Sequence, residues 1–338
     1  KINKINNIFF KSLLLNIFLF SPSIGLSEGF NYKQKLNPES SANSLKPLDL
    51  DFSSFDYQKP LIKLKKKLVN EIKRTWPYVK KLFNKKKLNL KNFKYVVSIE
   101  EALEEADFIQ ECATENYTIK TKLMSIIGKY AKPNAIISSS SSGLLPTRIY
   151  SKCKNPARAM IGHPFNPVYI CPGVEIVPGK KTKKKFLNRA NKFYKSISMN
   201  PIMVKKELPG YLADRLQEAL WREALHIVNE GYASTKDLDR AIEDGPGLRW
   251  SLMGVFLTYH LAGGKAGMKH MLEQFGPALK LPWTKLKAPT LSKKLSSKVI
   301  EGTRQQAKGK SVAMISNVRD EYLVNLQKLR KKFEKKIR

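Results

Sequence analysis

Cysteine is scarce in this sequence. Three residues in 338, Cys112, Cys153 and Cys171, form no CxxC pair, and an odd, scattered set closes no disulfide framework. Reduced thiols of a cytoplasmic protein are the expectation. Histidine is as rare: His163, His226, His260 and His270 lack metal-ligand spacing and no HExxH occurs, so no metal is expected. No apolar run is long enough to span a bilayer; the nearest, NIFFKSLLLNIFLF, is too short. No internal repeat is visible. Acidic residues are few, 28 against 62 basic ones.

What is present is globular: 42% hydrophobic and 10% aromatic residues support real cores, and the length accommodates two domains. The net charge of +34 gathers at Lys63–Lys67, Lys80–Lys87, Lys180–Lys185 and Lys331–Lys336. Few aromatics interleave with these patches, so a solvated lysine surface is expected rather than a nucleic-acid interface. Such a field still steers anionic ligands.

The informative stretch runs from Ile136 to Glu175. A serine run follows an apolar pair, as a strand-end loop would. His163 ends the apolar run Ala159–Ile161 within GHPFNP. Glu175 stands between Val174 and Ile176, where a carboxylate needs a partner. A histidine suits: the carboxylate holds one ring nitrogen and the other stays free to take a proton. The residues alone leave a second reading open, a solvated edge strand with a surface turn.

The run SSSSSGL, then GHPFNP, then VEIV resembles the 3-hydroxyacyl-CoA dehydrogenase family. Twenty-one positions separate Ser142 from His163 and twelve separate His163 from Glu175, as in that family. The later GPGLRWSLMGVFLTYHLAGG and FGPALKLPWTKL look closer still to its L-carnitine 3-dehydrogenase branch. The resemblance covers about Leu50 to Leu326. It implies an α/β fold, a Rossmann-like mostly parallel sheet domain followed by an all-helical domain, with NAD as cofactor and a homodimer as the assembly. Residues 1–47 are then a leader or degenerate first βα unit, 48–208 the dinucleotide-binding domain and 209–338 the helical substrate and dimerisation domain.

The family expects a GxGxxG turn near the start. This chain offers Ser21-Pro22-Ser23-Ile24-Gly25, where serine crowds the backbone approach and proline removes an amide. A degenerate turn ending at Gly25, a secretory signal and an unrelated leader all remain open readings of this segment. Leu50–Phe55 reads as a strand closed by Asp56, the acidic residue that takes ribose hydroxyls and selects NAD over NADP. A basic helix follows over Leu61–Phe83 and a short strand over Tyr95–Ser98. Ser98 caps a helix from Ile99, and Asp107–Cys112 is the next strand. The resemblance places Glu115 and Lys120 near the nicotinamide ribose. Ile119, Leu123, Ile126, Ile127 and Tyr130 trace a helical apolar face, and Ala135–Ser138 is a strand. Beyond a lysine-rich helix over Lys181–Ile197 and a strand at Ile202–Val204, Pro209-Gly210 opens a long helix. Leu212, Leu216, Leu220, Ala224 and Ile227 form its expected buried stripe, and Gly231 stops it.

The implied reaction is oxidation of a secondary alcohol. His163 is the general base, Glu175 orients it and Ser142 binds the substrate oxygen. Asp214 stands in PGYLADR where the hydroxyacyl-CoA enzymes have asparagine in PGFxxNR; a quaternary ammonium substrate gains from that charge. Trp250, Phe256, Tyr259 and Trp283 are candidate cation-binding faces and Arg249 a carboxylate fork. The same aromatics read equally as core. A 3-hydroxyacyl-CoA substrate is the alternative of the same class. A binding relative disabled by the missing glycine turn is the alternative of another class.

Overall fold

The computed structural model describes residues 58–334, apart from 85, 86, 92, 97, 253, 286, 288 and 291. The expected strand at Leu50–Phe55, the Ser21–Gly25 turn and Asp56 therefore lie outside the described residues.

Five short strands make one sheet in the order β1-β2-β3-β4-β5: β1 (Phe108–Glu111), β2 (Ile136–Ser139), β3 (Ala159–Pro164), β4 (Gly173–Pro178) and β5 (Asn200–Met203). The β1/β2, β2/β3 and β4/β5 pairs are parallel and β3/β4 is antiparallel. The first four strands are buried along most of their length because both faces are covered. On one face α3 (Tyr117–Tyr130) packs Met124 and Ile127 onto Ile109, Ile137, Ile161 and Val177. On the other, α5 (Lys184–Ser196) presents Phe186, Ala190 and Tyr194, one residue per turn, to Ile136, Met160, Val174 and Ile176. Fully burying each large aliphatic side chain contributes roughly 1.5–3 kcal/mol.

The remaining helices are α1 (Gln58–Phe83), α2 (Ile99–Glu104), the single turn α4 (Pro146–Ile149), and then α6 (Ala213–Glu230), α7 (Thr235–Glu243), α8 (Pro246–Trp250), α9 (Val255–Ala262), α10 (Gly267–Phe275), α11 (Lys293–Ala307) and α12 (Val312–Glu334). Everything described beyond Ala213 is helix, turn or loop. Ser98 and Ser234 cap α2 and α7 through the amides of Glu101 and Asp237, as their spacing predicts. Gly231 ends α6 at φ 81°, a left-handed position that glycine takes without strain.

Three expectations need correction. Tyr95 and Val96 join no ladder among the described residues, where the sheet ends at β1, whose one described partner is β2. The buried line of α3 is Lys120, Met124, Ile127 and Gly128, whereas Ile119 and Tyr130 are exposed. In α6 the buried residues are Leu225 and Val228, while Leu212, Leu216 and Leu220 are exposed. Periodicity identifies which residues share a line on a helix. It does not say whether a second layer covers that line.

Candidate active site

The parallel strands end in a common edge, and the chemistry-bearing side chains gather along it. His163 is the fifth residue of β3 and faces Glu175 directly in the antiparallel register of β4. Both are buried, and His163 Nδ1 lies 2.9 Å from Glu175 Oε2. A buried carboxylate accepts, so Nδ1 carries the proton and Nε2 keeps its lone pair. The residue before the histidine has no room for a side chain: a Cβ on Gly162 would collide with the Tyr194 hydroxyl and Ser138 Oγ.

The second oxygen of Glu175 is equally committed. Oε1 accepts from the amides of Leu212 at 2.9 Å and Ala213 at 3.0 Å, at the start of α6. Two orphan helix donors thus meet a carboxylate, a favourable pairing with the helix dipole. Phe165 and Tyr211 stand edge-on to the imidazole, at 5.2 and 5.7 Å between ring centroids. Asp214, half-buried in the first turn of α6, brings Oδ2 to 4.0 Å from His163 Nε2. Burial pushes its carboxyl above the ordinary range; His163 opposes the rise when its ring is protonated, and the charge of Glu175 adds to it.

A second cluster lies at the ends of β1 and β2. Glu111 and Lys120 are wholly buried and pair at 3.0 Å, and Ser139 Oγ donates to Glu111 Oε2 at 2.5 Å. Lys120 Nζ also donates to the Ala113 carbonyl at 2.8 Å and stands 3.6 Å from Glu115 Oε2. Glu115 Oε1 accepts from Ser141 Oγ at 2.5 Å and from the amides of Ser142 and Gly143 at 3.0 and 3.3 Å. The serine loop is therefore held by its amides. Ser142 Oγ itself makes no hydrogen bond among the described residues.

The structure thus gathers His163, Glu175 and Asp214 in one group, and Glu115, Lys120 and Ser142 in a second. It leaves the five candidate substrate residues apart. Arg249, Trp250, Phe256, Tyr259 and Trp283 are exposed, Phe256 at 84% and Trp283 at 71%, and among the described residues no hydrogen bond, ion pair or ring contact joins them to His163, Glu175 or Asp214. Glu111, Tyr211 and Phe165 belong to the site and go unread in the sequence. Glu111 follows Gln110 and lacks the flanking aliphatic pair that marks Glu175.

Among the described residues no cluster suits a metal ion, and no helix is long and apolar enough to cross a membrane. None of the three cysteines forms a disulfide. Burial pushes the Cys112 thiol up to about 12 and that of Cys153 to about 11, which leaves neither a ready nucleophile. The strand-end edge suits the ribose half of a dinucleotide. Glu115 is about a third exposed there, a carboxylate that accepts from hydroxyls at the carboxyl ends of parallel strands.

Comparison with known proteins agrees with this arrangement. Residues 56–208 match the sequence model of the 3-hydroxyacyl-CoA dehydrogenase NAD binding domain, and 210–305 that of the 3-hydroxyacyl-CoA dehydrogenase C-terminal domain. The L-carnitine dehydrogenase of Oceanobacillus iheyensis is 49% identical over 262 residues, 78% of this chain and 85% of that one. That of Pseudomonas putida is 49% identical over 261 residues, 77% and 80% of the two chains. Among solved structures, a 5-formyl-3-hydroxy-2-methylpyridine 4-carboxylic acid 5-dehydrogenase superposes with a TM-score of 0.66 at 21% identity, covering 80% of this chain and 88% of the other. At that identity the likeness speaks for the fold.

Proposed function

Because the chain belongs to the 3-hydroxyacyl-CoA dehydrogenase family and is an NAD-dependent dehydrogenase of secondary alcohols, we propose that it oxidises the 3-hydroxyl of L-carnitine to 3-dehydrocarnitine. The observation that carries this reading is the approach of Asp214 to His163, 4.0 Å between Oδ2 and Nε2. In carnitine the trimethylammonium sits on the carbon next to the carbinol carbon. A substrate whose hydroxyl faces Nε2 therefore sets its cation beside Asp214. An acyl-CoA has no cation there to meet the charge.

Bound NAD supplies the hydride acceptor. The chain's own groups handle the proton. As the carbinol hydrogen leaves with its electron pair, His163 Nε2 takes the hydroxyl proton and the C–O bond becomes a carbonyl. Glu175 holds Nδ1–H and stabilises the imidazolium that forms. Ser142 Oγ hydrogen-bonds the substrate oxygen. Glu115, with Lys120 behind it, faces the nicotinamide ribose, and Asp56 and the turn ending at Gly25 take the rest of the dinucleotide. Arg249 receives the carnitine carboxylate, and Trp250, Phe256, Tyr259 and Trp283 complete the substrate side.

The working form in this reading is a homodimer. Leu216 and Trp221 on α6, and Leu279, are more than half exposed on one chain, apolar side chains that a second copy would cover. Initial rates with NAD and either L-carnitine or a 3-hydroxybutyryl thioester of CoA test the substrate. Turnover of carnitine with little of the thioester is expected; the reverse preference overturns the proposal.

A further inference from the structure

The serine loop is gripped from two sides, and the second grip comes from the start of the helical region. Glu115 takes the amides of Ser142 and Gly143. On the carbonyl side, the Gly210 amide donates to Gly143 O at 3.3 Å and the Tyr211 hydroxyl donates to Leu144 O at 2.6 Å. Leu144 N closes back on Ser141 Oγ at 3.2 Å. Tyr211 is fully buried and holds φ at 43°, a left-handed backbone that is costly for a residue with a Cβ. Gly210 before it is also left-handed, at 69°. This double turn aims the ring between the imidazole and the serine loop. It also delivers the next two amides, Leu212 and Ala213, to Glu175.

We infer that Tyr211 is a positioning residue: its hydroxyl fixes the Gly143–Leu144 backbone so that Ser142 faces the same point in space as His163 Nε2. The segment 210–213 thereby sets the serine loop and the His163–Glu175 pair together. A shift at the start of α6 disturbs both halves of the proton-handling site at once. This inference rests on the reading of Ser142 as the group that binds the substrate oxygen.

Tyr211→Phe removes one oxygen and keeps the ring, so the packing against His163 survives. The expected result is turnover about tenfold lower, the effect of one well-placed hydrogen bond. NAD affinity by calorimetry and the thermal midpoint should stay near parental values. Ser142→Ala should also slow turnover. In the double variant, Tyr211→Phe should add little to Ser142→Ala, because both changes act on one hydroxyl. Parental turnover in Tyr211→Phe, or fully multiplied losses in the double variant while Ser142→Ala alone is slow, overturns the role given to Tyr211. Parental turnover in Ser142→Ala overturns the reading of Ser142, and the inference falls with it.

Discussion

His163 and Glu175 stand directly opposite each other in the β3/β4 register, joined at 2.9 Å, while the other oxygen of Glu175 accepts the first amides of α6. One carboxylate therefore both fixes the imidazole tautomer and anchors a helix.

His163→Ala should lower turnover by about 10²–10⁴-fold with little change in NAD affinity. Glu175→Gln should cost nearly as much. The two amides at α6 compel the glutamine oxygen to face them, so its NH₂ must donate to Nδ1. The imidazole proton then moves to Nε2, where the lone pair is needed. Steady-state kinetics with a parallel NAD titration measures both; parental turnover in either variant removes that residue from the mechanism.

Asp214→Asn separates charge from shape. The KM for carnitine should rise at least about tenfold, since a unit charge some 4 Å away is worth several kcal/mol near a protein surface. Stability should move the other way. A carboxyl raised above its unfolded value contributes full stability below that value, 3.8, and loses it as pH rises through the folded value. The asparagine variant escapes this loss. It should be the more stable protein near neutral pH, with the difference closing as pH falls below about 3.8. Thermal unfolding of both proteins across pH 3–8 checks the sign; a parent more stable at neutral pH contradicts it.

The Ser21-Pro22-Ser23 stretch should weaken NAD binding by at least about tenfold, because each lost charge-assisted hydrogen bond costs roughly 1.5–3 kcal/mol. Glycine at positions 21 and 23, with Pro22 replaced, should recover it. Micromolar binding by the parent with no gain in the variant means that the pyrophosphate is held elsewhere.

Leu216→Lys should shift the protein toward monomer if α6 lies in the association face. Sedimentation velocity of parent and variant reads this directly. Identical profiles at a common dimer mass place the interface elsewhere, and a monomeric parent excludes the dimer.

The His163–Glu175 pair is legible in the sequence because a carboxylate between Val174 and Ile176 makes no sense without a partner, and a histidine twelve residues earlier ends the neighbouring apolar run. The mostly parallel α/β sheet is legible in the alternation of strands and helices, whereas the order of the strands and the antiparallel β3/β4 pair come from the structure. Glu111 lies between Gln110 and Cys112, without a flanking aliphatic pair to mark it, and its partner Lys120 sits in a helix, where a lysine reads as surface. The buried faces of α3 and α6 are misread for a related reason: helical spacing fixes a line of residues and leaves the covering layer unspecified. The 210–213 segment is the least legible. The left-handed backbone of Tyr211 and the aim of two amides at Glu175 arise from tertiary packing, and no side-chain pattern encodes them.

The anchoring of α6 on Glu175 makes catalysis a gauge of local melting. Helix ends open at a small fraction of the free energy that unfolds a whole domain. When the first turn of α6 frays, Glu175 loses two of its three donors and the imidazole loses a rigid support, although the rest of the helix persists. In a urea series, activity should vanish at concentrations where ellipticity is still native, so that enzymatic inactivation reports the loosening of one helical turn rather than the collapse of the protein.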